Sequence, residues 1–510
     1  MTAGGSIVSG DGAGGAGAAP SIGSALLRVG LALAVLFGGI GAGMGYWQVV
    51  EAQSLSTDPG NPLVQAAARN APRGRILDVN GEVVAFNERG SSGERLRRYP
   101  FPAMTPVLGY QSMRFGTSGL ERAYDAELTG LKPLGPGRDM MRKFLTDPYD
   151  PSDLHLSIDV RLQAAAASAL GGDRGSVVAI EPATGRVLAL VSNPTFDANR
   201  LVDPAGGADY LESLRGERST PLLNRATQGR FVPGSVFKIV TATAGLGSGA
   251  IDPSTTYPTD EEYETGFLVE GFTIRDSPRS FQRDRPLDFF EATEVSSNIW
   301  FAHAALDTGA DELLAWSERF GFGAALDFDL PTAASQVTGG DGPLSGFTDR
   351  VELANAAYGQ GETLVTPLQM ALVAACVAND GVMMRPHLVD RLESEDGRVQ
   401  TVGSSEVRTV MGAADAEAIT QAMVLAVEGE FGQVFAGGAK VPDATTAGKS
   451  GSAQLGETGR PHSWFIGFAP AEQPRIAIAV IVERAGFGSQ VAVPMAGDLM
   501  EQYLDLDDGS

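Results

Sequence analysis

The sequence predicts a mixed α+β (α/β) fold: a central antiparallel sheet beside a helical lobe, preceded by a small β-rich module and one transmembrane helix. Three observations predict it. Apolar, strand-like runs open and close residues 153–510 with helix-like segments between them, the pattern of a sheet closed by both ends of one domain. Short strands broken by turn residues fill 51–152. The run Val29 to Val50 carries no charge over 22 residues.

Residues 1–28, rich in Gly, Ala and Ser, are expected to form a disordered cytoplasmic tail. Residues 29–50, "VGLALAVLFGGIGAGMGYWQVV", can span a bilayer as an anchor, with Tyr46 and Trp47 placed as an interfacial aromatic pair. Arg28 is the only cation before that run and favours an inward N-terminus. The alternative is a cleaved signal peptide, since Val50-Glu51-Ala52 resembles a cleavage site; the apolar region of such peptides is usually ~7–15 residues. Either reading puts the remainder outside the cytoplasm. In 51–152, "RGRILDVNGEVVAF" reads as strand, Asn-Gly turn, strand. "LKPLGPGRDMMRKFLTDPYDPSD" reads as a connector.

From 153 the texture changes. "LHLSID" is a strand leading into the helix "VRLQAAAASAL", and "GSVVAIEPATGRVLALVS" is a hairpin of two apolar strands. Helices are expected at 235–247, 285–295, 299–307, 310–320, 366–379 and 414–427. "SWFIGFAP" and "RIAIAVIVER" are strands, followed by a helix near 492–504.

Charge and cysteine content exclude some functions. The net charge is −24, and the 33 arginines are dispersed, which argues against nucleic acid and against attraction to anionic lipid. The single cysteine, Cys376 in "ALVAACVAND", reads as a small residue on a buried helix, so no internal disulfide can form. Only five lysines occur: Lys132, Lys143, Lys238, Lys440 and Lys449. Where arginine is the routine cation, a lysine in an apolar setting stands out, because lysine can lose its proton and arginine cannot.

Lys238 is such a residue. It sits in the apolar run "GSVFKIVTAT", and nothing acidic lies between Ser219 and Ile251 to pair with it. Pro233 and Gly234 place Ser235 at a helix start, and a spacing of three brings Lys238 onto the same face within reach of the Ser235 hydroxyl. Desolvation lowers a lysine pKa, so Lys238 can act as the base that takes the serine proton. The bland alternative is a lysine that snorkels to the surface. A second motif, Ser296-Ser297-Asn298 in "EATEVSSNIWFAHAAL", falls at a break between helices. Ser296 could relay a proton and Asn298 could hold an amide, or the group could be only a helix cap. The third is "AGKSGSAQ", residues 447–454. A phosphate loop would need glycine where Asp443 stands, so that reading is rejected. The small residues Ser450, Gly451, Ser452 and Ala453 instead suit a strand on which an extended peptide lies flat, with Lys449 offering a cation to a carboxylate or to a proton relay. A Gly-rich turn with a solvated lysine is the alternative.

Together, S-x-x-K, S-x-N and K-[ST]-G form the signature of penicillin-binding proteins and serine β-lactamases. The chain resembles the penicillin-binding proteins over nearly its whole length, through "SVVAIEPATGRVLALVSNPTFD", "LLNRATQGRFVPGSVFKI", "YGQGETLVTPLQMALVAACVANDG" and "HSWFIGFAP". Upstream, "APRGRILDVNGEVVA" and "YPFPAMTPVLGYQSMRFGTSGLERAYDAELTG" resemble the N-terminal module of class B (monofunctional) members, most of all the short actinobacterial type linked to division. Val79 replaces a residue that is commonly basic there.

The resemblance implies a transpeptidase domain at 153–510 with the penicillin-binding, serine β-lactamase-like fold, and a pedestal or dimerisation-like module at 51–152. It implies that Ser235 is the nucleophile forming an acyl-enzyme with a peptidoglycan stem peptide, or with a β-lactam. Lys238 would be its base, and Ser296 and Lys449 would carry the proton to the departing D-Ala. Asn298 would hold the peptide amide, Gly451 would lie under the peptide, and Ser450 and Ser452 would meet its carboxylate and backbone. The N–H groups of Ser235 and Ser452 would form the oxyanion hole. Ser450 stands where many members carry Thr and keeps the hydroxyl. No cofactor or metal is expected: His155, His303, His387 and His462 show no ligand spacing. His462 precedes a strand and reads as core or surface. The acidic and basic stretch "TDEEYETGFLVEGFTIRDSPRSFQRDR" reads as a solvated loop beside the site.

The rivals are a D,D-carboxypeptidase, which shares every motif, a serine β-lactamase and a non-catalytic division scaffold. Class A β-lactamases need a deacylating glutamate, usually in Glu-x-x-Leu-Asn, which is absent here. The class D pattern has Ser-x-Val where this chain has Ser-Ser-Asn. The ~100 residues before the domain are too few for a glycosyltransferase core. A separate polytopic membrane glycosyltransferase and division proteins are therefore the expected partners.

Overall fold

The structure, a computed structural model, describes residues 22–47, 72–90, 95–130, 150–340, 342–456 and 459–508. Expectations for 1–21, 48–71 and 131–149, including Lys132, Lys143 and most of the connector, lie outside the described residues. The chain divides into two units, 1–69 and 70–510.

In the first unit one helix, Ile22–Gly45, is long and apolar enough to cross a membrane. It begins at Ile22 rather than Val29, so residues 22–28, expected within a disordered tail, are helical. Leu26, Leu27 and the adjoining small residues extend the apolar run backwards past Arg28. Tyr46 and Trp47 follow it with their rings edge to face.

In the second unit, two sheets organise the chain. The five-stranded sheet runs in the order Ala447–Leu455, Gly459–Ala469, Ile476–Val482, Gly175–Ile180, Val187–Asn193, all antiparallel. Its inner strands Gly175–Ile180 and Ile476–Val482 are largely apolar on both faces because both faces are covered. Val177, Ile478 and Val480 pack with the helices Val160–Leu170 and Ala492–Asp508. Val178, Ala479, Ile481 and Ile466 face the large core of the helical lobe, which includes the wholly buried helix face of Pro367–Ala378. Cys376 sits in that helix, where burial pushes its thiol pKa up. The early and late strands read from sequence meet in the middle of this sheet, where Gly175–Ile180 pairs with Ile476–Val482.

The strand at "LHLSID" does not join it. Ser152–Leu156 pairs parallel with Ile76–Leu77 and antiparallel with Val389–Ser394, inside a six-stranded sheet that also holds Val83–Arg89, Arg95–Arg98 and Val399–Thr401. The reason is visible in its pattern. Leu154 and Leu156 are buried while Asp153 and His155 are half-buried, the alternation of a sheet with one covered face. The Asn-Gly hairpin forms as read, with Ile76 opposite Ala85. The short strands between 380 and 410 were not read from the sequence.

An ion cluster holds the N-terminal part of this unit. Glu121 is fully buried and accepts from Arg97 at 2.6 Å and Arg73 at 2.6 Å. Burial opposes ionisation, but the two guanidinium groups outweigh it and hold the Glu121 carboxyl below its usual range. Its contribution to stability is therefore present above ordinary carboxylate pKa values and lost as pH falls through the lowered one. Glu121→Gln leaves the buried Arg97 guanidinium without its carboxylate, while Arg73 keeps Asp125 at 2.7 Å, and is expected to cost about 3–5 kcal/mol. An unchanged melting temperature at neutral pH would refute this.

Candidate active site

Pro233 and Gly234 lead into a 3-10 turn, Gly234–Phe237, and only then into the α-helix Lys238–Ser248. The expected single helix 235–247 is thus corrected at its first turn. Gly234 adopts a φ of +59° that favours glycine, and its N–H donates to the Gly359 carbonyl at 2.9 Å. A Cβ on Gly359 would lie 2.1 Å from the Gly234 oxygen, and one on Gly451 would lie 2.9 Å from the Pro233 oxygen. Two glycines from distant segments therefore pin the Ser235 turn. In a 3-10 turn side chains three apart eclipse, which aligns Ser235 with Lys238. Among the described residues no hydrogen bond joins the two side chains; catalytic hydrogen bonds in unliganded sites are often long and tighten in the complex. Ser235 is half-buried.

Lys238 is fully buried. Its Nζ lies 2.7 Å from the Ser296 carbonyl oxygen, 2.9 Å from Asn298 Oδ1 and 3.2 Å from Ser296 Oγ. Burial lowers its pKa well below the ordinary value, Lys449 and Arg279 add to that, and Asp276 opposes it. The snorkelling alternative is excluded. Lys449, on the strand Ala447–Leu455, is also buried, and its Nζ donates to Ser296 Oγ at 2.8 Å and to the Ser450 carbonyl at 3.2 Å. Burial pushes its pKa down to about 7. Ser296 Oγ therefore bridges two desolvated amines.

The Ser296-Ser297-Asn298 motif contains both a cap and a site. Ser297 is the cap: its hydroxyl accepts from Trp300 N–H at 3.1 Å at the start of the helix Asn298–Thr308. Ser296, just outside the helix, has a φ of +57°. Asn298 accepts from Lys238 through Oδ1 and donates through Nδ2 to the Arg275 carbonyl at 2.9 Å.

The strand Ala447–Leu455 is an edge of the five-stranded sheet, paired on one side with Gly459–Ala469. Its other edge can accept an extended peptide as an added strand. Gly451 lies opposite Trp464, whose indole donates to the Val232 carbonyl at 2.9 Å. Ser450 Oγ makes no hydrogen bond among the described residues, while Ser452 Oγ accepts from Gly488 N–H at 3.0 Å. The structure thus brings Ser235, Lys238, Ser296, Asn298, Lys449, Ser450, Gly451 and Ser452 to one place.

Sequence reasoning missed Asp276 and Arg279. The stretch holding them is not wholly a solvated loop: it contains the hairpin Phe267–Val269 and Phe272–Ile274, and the Asp276 and Arg279 side chains are buried as an ion pair at 2.7 Å. Gly359 was missed as well. His462 is a core residue: it is buried against Phe231, accepts from Arg484 N–H at 3.2 Å, and burial lowers its pKa to about 4. Lys440, by contrast, is an exposed partner of Glu428.

The chain is similar to known proteins. Residues 175–501 match the penicillin binding protein transpeptidase domain, and residues 73–146 match the penicillin binding protein A dimerisation domain. The chain is 34% identical over 478 residues to the peptidoglycan D,D-transpeptidase PbpA of Mycolicibacterium smegmatis, covering 91% of this chain and 94% of that one. It is 32% identical to the Mycobacterium tuberculosis PbpA, covering 90% and 94% of the two chains. Among solved structures, the penicillin G acyl-enzyme complex of penicillin-binding protein A from M. tuberculosis superposes with a TM-score of 0.75 at 30% identity, covering 85% of this chain and 100% of that one. The imipenem acyl-enzyme complex of the same protein gives 0.74 at 31%, covering 85% and 98%.

Proposed function

The chain belongs to the penicillin-binding protein transpeptidase family, in its class B branch, and from that premise we propose that it crosslinks peptidoglycan stem peptides through an acyl-enzyme on Ser235. The observation that carries this reading is Ser296 Oγ held between the amines of Lys238 and Lys449, at 3.2 and 2.8 Å, beside the Ser235 turn.

Lys238, its pKa lowered well below the ordinary value by burial, takes the Ser235 proton as Oγ attacks the carbonyl carbon of the penultimate D-Ala. The oxyanion forms against the N–H groups of Ser235 and Ser452, donors of a kind that contribute ~3–4 kcal/mol. The C–N bond then breaks, and the departing D-Ala amine takes a proton from Ser296 Oγ, which is resupplied by Lys238 and Lys449. Asn298 and the edge of the strand Ala447–Leu455 hold the peptide, with Gly451 leaving room for it and Ser450 facing its carboxylate. An amine of a neighbouring stem peptide attacks the ester and frees Ser235. A β-lactam follows the same first step and stays attached.

The helix Ile22–Gly45 would anchor the chain as a single pass, with 51–152 as pedestal and the catalytic domain 153–510 outside the cytoplasm. Strand polymerisation falls to a polytopic membrane glycosyltransferase at the division site; failure of that enzyme to co-purify counts against the partnership. A fluorescent penicillin is expected to label the full chain covalently, with the adduct mapped to the peptide holding Ser235 and persisting for many minutes. Rapid loss of label would point to a β-lactamase, and no label to a scaffold.

A further inference from the structure

Ser296 occupies a left-handed backbone conformation, with φ +57°, that non-glycine residues hold only when their surroundings enforce it. Asp276 supplies that enforcement. Its Oδ1 accepts from Asn298 N–H at 2.6 Å and Ile299 N–H at 3.0 Å, and its Oδ2 accepts from the Ser297 hydroxyl at 2.9 Å. Three consecutive residues after Ser296 are thus tied to one carboxylate. Arg279 fixes the carboxylate in turn, donating to Oδ2 at 2.7 Å. The arginine is itself locked: its backbone N–H donates to Tyr263 Oη at 2.8 Å, and its guanidinium lies 4.8 Å from the Tyr263 ring.

We propose that Asp276, clamped by Arg279, is a positioning residue for the transpeptidase reaction, holding the Ser296–Asn298 turn so that its oxygens meet the Lys238 and Lys449 amines. The proposal rests on the functional reading above. It explains why a buried ion pair stands where the surrounding sequence is strongly charged and solvent-facing. The turn presents three atoms to Lys238, the Ser296 carbonyl, Ser296 Oγ and Asn298 Oδ1, and all three move if the carboxylate is lost.

Asp276 also acts through its charge. The charged groups bearing on the Lys238 amine are Lys449 from the edge strand and Asp276 and Arg279 from the loop after the hairpin; its other close neighbours, Ser296, Asn298 and Phe301, are uncharged. Asp276 favours the protonated amine and Arg279 disfavours it. Neutralising Asp276 therefore lowers the pKa of Lys238 further and moves the acid limb of acylation to lower pH, even as the rate falls.

The test is the pH profile of acylation by a fluorescent penicillin, with the full chain, for wild type, Asp276→Asn and Asp276→Ala, with melting temperatures in parallel. Alanine is expected to slow acylation about 100-fold, the scale of a misplacement near 1 Å. Asparagine keeps an acceptor for the two N–H groups and is expected to lie between alanine and wild type, with its acid limb displaced downwards. A wild type that takes no label overturns the functional reading and this proposal with it. A wild type that labels while Asp276→Asn matches it in rate and profile overturns the proposal alone. So does a loss of rate with an unmoved limb and a fallen melting temperature, which is what a purely structural part would give.

Discussion

Replacing Lys238 by alanine is expected to slow acylation of Ser235 about a thousand-fold, and replacing it by arginine is expected to do no better. A thousand-fold corresponds to about 4 kcal/mol of lost transition-state stabilisation. The argument is one of valence. A neutral amine has two N–H donors, which are met by the Ser296 carbonyl at 2.7 Å and Asn298 Oδ1 at 2.9 Å, and one lone pair, which faces Ser296 Oγ at 3.2 Å in the resting site and takes the Ser235 proton when that serine attacks. Burial, Lys449 and Arg279 keep that lone pair available by depressing the pKa. Arginine keeps the positive charge and much of the length but stays protonated at any accessible pH, so it has no lone pair to offer. If the residue worked merely as a cation, arginine would rescue it. Second-order labelling rates decide: an arginine variant within ten-fold of wild type removes the base from the mechanism. The alanine variant also leaves the Ser296 and Asn298 acceptors without a donor, so its melting temperature must be measured beside its rate.

How much of this was legible in the sequence differs by residue. Lys238 announced itself, because an unpaired lysine in an apolar run needs a reason, and the structure places it fully buried. The apolar strands at 175–180 and 476–482 were equally plain, since a run of almost wholly apolar positions is that of a strand covered on both sides. The strand at 152–156 was readable as a strand but its sheet was not, because its parallel partner, Ile76–Leu77, is two residues long and remote in sequence. Gly359 and Gly451 matter through close approach to the Ser235 turn from other segments, and no local pattern encodes a contact of that kind. Asp276 was hidden by its neighbours. In a stretch crowded with acids, one carboxylate that turns inward carries the same letter as those that face water. Only its N–H partners on the helix Asn298–Thr308 distinguish it.

Lys449→Met is expected to lower acylation about 100-fold, within the range of lost proton-transfer catalysis, and to move the acid limb in the opposite direction to Asp276→Asn. Lys449 donates to Ser296 Oγ at 2.8 Å, and its charge, after burial, is the second cause of the low Lys238 pKa. Removing that charge raises the Lys238 pKa, so the base is neutral only at higher pH and the limb shifts upwards. Stability follows from linkage as well. Burial sets the Lys449 pKa at about 7, below the ordinary lysine value of ~10.4 in an unfolded chain. Between those two values the unfolded chain binds more protons, so wild-type stability rises with pH across the window. Below it, the folded protein carries the full cost of a buried ammonium, which methionine does not. The melting temperature of Lys449→Met relative to wild type is therefore expected to be highest below pH 7 and to fall towards pH 10. A limb left in place together with a difference in melting that is flat across this range would mean that the Lys449 charge bears on neither Lys238 nor the fold, and would reduce it to a hydrogen-bond donor for Ser296 and the Ser450 carbonyl.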